Sequence, residues 1–169
     1  MKLNRLILII LALCLAAPAF AQEGGRGVAE ATINGKKVAI NYGRPELKGR
    51  DLLKIAPAGM VWRVGKDQAT EIETAGDLKV GATTLKAGKY SLWVKKNSDN
   101  NWVLAFHPKT GVWGAPALKE GFIAELPLKL ETAKDSAELL TIGLEGKGKT
   151  GTVNIHWGTA LLRGSFGVM

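Results

Sequence analysis

The chain has 169 residues, 23 of them Lys or Arg against 15 Asp or Glu, giving a net charge of +8, and it carries a single cysteine. One cysteine excludes a disulfide framework and a thiolate zinc site, so stability has to come from a packed core. The positive charge is scattered rather than gathered into a basic stripe interleaved with aromatics, and no nucleic-acid motif is present, which excludes nucleic acid as the expected partner.

Taken in chain order, Lys2 and Arg5 precede an uncharged apolar run over residues 6–20 that closes on Ala19-Phe20-Ala21, the small-x-small pattern of a signal peptidase site. The run is 15 residues long, short of the roughly 20 a spanning helix needs. Cleavage after Ala21 is therefore expected, with export to the periplasm or the extracellular space and no stable membrane anchor left behind. Cys14 sits inside the run and departs with the leader. The remaining residues 22–169 carry a net charge of +6 and no thiol. They are enough for one domain that buries roughly two-thirds of its unfolded surface.

Residues 28–42 read as two strands around Asn34-Gly35, the dipeptide that supplies both positive φ angles of a type I′ hairpin turn. Residues 44–57 break the β pattern with Pro45, Gly49 and Pro57, and the run Leu52-Leu53-Lys54-Ile55 predicts one short helical turn inside a loop. Strand signals resume over residues 69–74, 78–85, 89–95, 102–107, 122–131, 139–145, 152–157 and 160–166, with turn residues between them. Gly81 and Gly88 shape two turns within residues 78–92. In Trp102-Val103-Leu104-Ala105-Phe106-His107 the bulky residues share one face, and Val153, Ile155 and Trp157 oppose Asn154 and His156. About ten short strands without an amphipathic helix of ordinary length predict an all-β fold, a single antiparallel β-sandwich or barrel-like domain.

Several chemical motifs match in letters and fail in context. Residues 143–150 fit the G-x-x-x-x-G-K-[ST] formula, and Gly146, Gly148 and Gly151 fit the dinucleotide fingerprint, yet both need a helix to follow and an alternating strand follows instead. The expected structure there is a basic hairpin loop. His107 and His156, 49 residues apart, form no metal-ligand spacing. Ser91, Ser98, Ser136 and Ser165 lack a nucleophile elbow. Glu71 and Glu73 alternate onto one strand face, the pattern of a solvated edge. No cofactor, metal or catalytic residue is expected from these patterns.

The stretch Val61-Trp62-Arg63-Val64-Gly65-Lys66-Asp67-Gln68-Ala69-Thr70 is the strongest site signal, because a large aromatic and a cation precede a Gly that would permit an unusual turn. Arg44, Arg50 and Arg63 fall in or beside the only long non-strand segment expected, with Glu46, Asp51 and Asp67 as possible partners. Two readings stand. In one, Trp62 plugs the end of the sandwich while the guanidinium groups satisfy loop carbonyls and a carboxylate. In the other, Arg44 and Arg63 offer bidentate donors to an anion, with Trp62 or Trp113 as a stacking wall. The site residues are thus Arg44, Arg50, Trp62, Arg63, Asp67, Thr70, His107 and Trp113.

The blocks Tyr42-Gly43-Arg44-Pro45, Lys48-Gly49-Arg50 and Val61-Trp62-Arg63-Val64-Gly65, followed by Ala69-Thr70, Leu85-Lys86-Ala87-Gly88-Lys89-Tyr90, Trp113-Gly114 and Ile155-His156-Trp157-Gly158, resemble the secreted bacterial proteins grouped as domain of unknown function 2911. The chain departs from that pattern after Gly65, where Lys66-Asp67-Gln68 stands and no acidic side chain occupies Gln68. The resemblance implies export, a β-rich domain and no assigned activity. Three functions remain open. One is a non-enzymatic module for a small anionic or carbohydrate ligand or an envelope protein. Another is a hydrolase or metal-dependent enzyme using His107 with acidic loop residues. The third is a scaffold subunit.

Overall fold

The computed structural model describes residues 25–98 and 101–169, so the expected leader and Cys14 lie outside the described residues. Strand β1 (Arg26–Ile33) and strand β2 (Lys36–Gly43) form the first hairpin, with Asn34 at φ 51° and Gly35 at φ 71° in its turn. Asp51 caps the single helical turn α1 (Leu52–Ile55), its side chain accepting from the Leu53 N–H. Then come β3 (Met60–Trp62), β4 (Thr70–Thr74), β5 (Leu78–Val80), β6 (Thr83–Leu85), β7 (Gly88–Ser98) and β8 (Asn101–His107). Two long strands, β9 (Ala124–Lys147) and β10 (Thr150–Val168), end the chain.

All pairings are antiparallel, and the sheet runs in the order β1-β2-β4-β7-β8-β9-β10-β5-β6, with β3 added to β7. Strand β9 makes the sandwich. Its first residues pair with β8 and the rest pair with β10, so one strand carries the sheet from one layer into the other. The fold is all-β and antiparallel, and the ladder does not close into a barrel. Between the layers Val38, Ile40, Ile72, Leu92 and Leu104 meet Leu140, Ile142, Val153, Ile155 and Leu162, all but unexposed. Each such side chain contributes roughly 1.5–3 kcal/mol on burial.

Three differences from the sequence pattern have physical causes. The strands expected at 122–131 and 139–145 are one strand, and so are those at 152–157 and 160–166. The polar stretch 132–138 has no buried face to reveal it and is held by pairing with β10, which passes irregularities around Gly158 at φ 59°. The strand expected over 78–85 is divided by Gly81, at φ 57°, into β5 and β6. Residues 108–123 form a second long irregular segment. It survives because Val112, Ala117, Leu118 and Phe122 pack on the outer face of the sheet against Trp93, Ala105 and Ala69, a small second core.

Candidate functional site

After β2 the chain does not leave the molecule. Leu47 N–H donates to the Glu138 carbonyl at 2.6 Å and Leu140 N–H to the Pro45 carbonyl at 3.1 Å, stitching the crossover onto β9. This brings Arg50 over the ring of Trp157, 4.9 Å from its centroid. Trp157 is buried on β10 and donates Nε1–H to the Pro45 carbonyl at 3.1 Å. Its ring stacks on that of Trp62, with centroids 5.7 Å apart and planes 21° off parallel. Pairing of β3 with β7 sets Trp62 opposite Val94 and fixes it at this end of the sandwich.

The turn after Trp62 is built by backbone strain and close approach. Val64, fully buried, sits at φ 45°, and Asp67 at φ 61°. A β-branched residue in that region costs of order 1–3 kcal/mol and persists only where its surroundings over-determine it. Here Thr70 does so: its Oγ1–H donates to the Val64 carbonyl at 2.9 Å and its N–H to the Arg63 carbonyl at 3.3 Å. The expectation that Gly65 supplies the unusual backbone angle is thus corrected, since the positive φ falls on its neighbours. Gly65 is required for room: a Cβ there would lie 3.1 Å from Thr70 Oγ1 and 3.2 Å from the backbone of Gly43.

The result is an open cleft of about 480 Å³ whose walls include Arg50, Trp62, Arg63, Lys66, Gly114 and Trp157. Arg63 Nε–H donates to the Gly65 carbonyl at 3.3 Å, and its aliphatic stem runs against Gly114. Arg50 donates to the carbonyls of Leu47 and Glu46. Among the described residues, none of Arg50, Arg63 and Lys66 has a carboxylate partner, and no Asp or Glu lines the cleft. Nearby acids are engaged elsewhere, Glu46 with Lys48 and Asp51 with Lys54. Among the described residues the pKa displacements belong instead to surface ion pairs, with Asp77 and Glu131 lowered and Lys37 and Lys86 raised.

Of the residues singled out by sequence, Arg50, Trp62 and Arg63 line this cleft. Thr70 is buried behind it, and Asp67 shapes the loop by accepting from the Gly114 N–H at 3.1 Å. Arg44 does not line it. Its Nε–H donates to the Leu140 carbonyl at 3.3 Å on β9, so it stitches layers. Trp113 is 61% exposed and also stands outside the lining. His107 lies apart, its Nδ1 accepting from the Lys109 N–H at 2.9 Å and its ring meeting Phe122 edge-on at 5.6 Å. Among the described residues no three His, Cys, Asp or Glu side chains gather to hold a metal ion, and no helix is long and apolar enough to cross a membrane.

Sequence reasoning missed Lys66 and Trp157 as wall residues. Lys66 had a signal, being a cation three positions after an aromatic–arginine pair. Trp157 looked like an ordinary inward residue of an alternating strand, which it also is. A family model described as a protein of unknown function, DUF2911, matches residues 25–164. The chain belongs to the DUF2911 family. The match runs from the start of β1 nearly to the end of β10, so both the crossover and the cleft fall inside the DUF2911 region. No curated protein and no solved structure matches the chain.

Proposed function

We propose that this DUF2911 protein is an exported, non-enzymatic binding module whose end cleft takes a small ligand bearing an anionic group. The observation that carries the reading is the set of three cations, Arg50, Arg63 and Lys66, around one cleft without a carboxylate lining it. Like charges gathered without counter-charge repel, and a protein that holds them so gains from an anion placed among them. Each guanidinium spends Nε on a loop carbonyl, which orients the group. The terminal nitrogens of Arg63 have no hydrogen-bond partner among the described residues and suit a carboxylate or phosphate oxygen pair. The half-buried Trp62 supplies an apolar wall for the rest of the ligand. For Arg63 the structural and the ligand readings therefore describe different nitrogens of one side chain, whereas Arg50 also spends one terminal nitrogen on the Glu46 carbonyl.

Titration of the purified protein with inorganic phosphate, a sugar phosphate and a uronic acid, followed by tryptophan fluorescence, tests this. Saturable binding that weakens with added salt is expected. Arg63→Ala should weaken it roughly 10- to 100-fold, the equivalent of losing hydrogen bonds from a charged donor. No saturable binding of any of the three, or equal affinity in the folded Arg63→Ala variant, would overturn the reading.

A further inference from the structure

A second surface shares no lining residue with the cleft. The outer face of β1, β2, β4 and β7 holds an open groove of about 540 Å³. Its floor is the small Ala39 between Lys37 and Asn41, a low point among long side chains on the neighbouring strands. Charge is balanced here, in contrast to the cleft: Arg26, Lys37 and Lys89 face Glu30, Glu71 and Glu73. Lys37 pairs with Glu30 at 2.9 Å and Lys89 with Glu73 at 3.5 Å, while Glu71 Oε1 accepts from the Gly111 N–H at 2.6 Å. Arg26 Nη1 is shielded from solvent and has no partner among the described residues. Such a groove gives an ion no net attraction, yet it alternates donors and acceptors at close spacing.

At one end stands the most exposed tryptophan described. Trp113 pairs with Gln68, itself a lining residue, in an antiparallel bridge. Ala69 N–H donates to the Val112 carbonyl at 3.0 Å and Gly114 N–H to the Asp67 carbonyl at 3.1 Å on either side of the pair. Residues opposed in this non-hydrogen-bonded way send their side chains out of the same face at close range. Glu71 anchors Gly111 and so holds the segment that presents the indole. A large aromatic left 61% exposed on a pinned loop costs apolar hydration unless something covers it.

We propose that this groove, with Trp113 at its end, binds a neutral oligosaccharide. A sugar is the ligand whose chemistry matches both halves of the surface. Its axial C–H face packs on an indole, and its hydroxyls donate to carboxylates while accepting from guanidinium, ammonium and amide N–H groups. Crossing four strands, the groove spans about 14 Å, enough for a short chain rather than one ring.

The test is a panel of neutral oligosaccharides of differing linkage, immobilised and then titrated against the purified protein. Binding insensitive to salt is expected. Trp113→Ala should weaken it about tenfold or more, Trp113→Phe should retain most of it, and Glu73→Ala should weaken it by removing an acceptor from the groove. Because Trp113 is mostly exposed, its truncation leaves the core intact, and a thermal melt verifies this. Arg63→Ala should leave neutral-sugar binding unchanged, which separates this surface from the cleft. The proposal falls if no neutral oligosaccharide binds, if Trp113→Ala binds as well as the natural protein, or if only acidic sugars bind and Arg63→Ala abolishes them.

Discussion

A Cβ added at Gly43 would run into the backbone of Lys66, whose nitrogen would lie 2.8 Å away, and backbone inside a strained, doubly hydrogen-bonded turn has nowhere to go. At Gly114 the added atom meets the stem of Arg63, with Cβ at 2.8 Å and Cγ at 2.9 Å; the outer part of that side chain can turn into the open cleft, but its Cβ moves only with the backbone. Gly43→Ala is therefore expected to cost about 1–3 kcal/mol, the range for overpacking, read as a lowered urea midpoint. Gly114→Ala should be destabilised too, with a thermal midpoint lowered by several degrees, and should bind the cleft anion more weakly because Arg63 is pushed aside. A Gly114→Ala variant with unchanged stability and unchanged anion affinity would show that the 114 loop gives way instead of Arg63. At this scale the sequence made Trp62 and Arg63 legible, because an aromatic–arginine pair ahead of a strand is not what packing alone selects. It misassigned Gly65 and left Arg44 open between two roles, of which the bond to the Leu140 carbonyl is the structural one. A glycine kept for space looks the same in letters as a glycine kept for φ, and the direction of an arginine depends on β9, which is distant in sequence.

The β1–β2 turn docks on the β9–β10 turn and on the last residue of β10. Asn34 N–H donates to the Gly148 carbonyl at 3.1 Å, and Asn34 Nδ2–H to the Val168 carbonyl at 3.0 Å. Asn34→Ala should then cost about 1–3 kcal/mol, combining an alanine held at positive φ with a lost side-chain hydrogen bond. Urea unfolding measures it, and a loss below about 0.5 kcal/mol would mean that docking adds nothing to either turn. The Asn-Gly signal made this turn readable, as the Leu-Leu-Lys-Ile run made α1 readable, though its cap, Asp51, was read only as a possible partner of the arginines. The residues 143–150 that fit a phosphate-loop formula are the end of β9, a two-residue turn and the start of β10, with Gly146 close against Ile33. Elements whose faces are polar on both sides were not readable. The middle of β9 shows no period because solvent, not core, surrounds it, and the 108–123 segment hides its second core behind proline and glycine spacing.

For the molecule as a whole, alternation along the strands announced an antiparallel sandwich, but nothing in the letters announced that one strand would belong to both layers, since layer membership is decided by partners. Surface charge is likewise a property of the assembled sheet, and its pH dependence follows from named pairs. Asp77 is held below the ordinary carboxylate range by the hydrogen bond from Lys86 and then that from the Ala87 N–H. Glu131 is lowered by the hydrogen bond and charge of Lys129, with Arg163 adding less. A carboxyl depressed in the folded state contributes fully above its unfolded pKa of about 4 and loses that contribution as pH falls through the folded value. Lys37, raised by Glu30, and Lys86, raised by Asp77, work at the other limit. Their contribution is complete below about 10.4 and is lost as pH rises through their folded values. These four groups therefore add no slope between about pH 5 and pH 9. Lys37 and Lys86 stand in water and Asp77 and Glu131 are partly exposed, so the acid limb is shallow and added salt weakens it further. The expected melting profile is level across the middle range and declines below about pH 4, with the decline reduced in Asp77→Asn, which has no carboxyl to protonate. A midpoint that climbs on acidification below that point, or an Asp77→Asn profile as steep as the natural one, would show that these pairs do not set the acid limit.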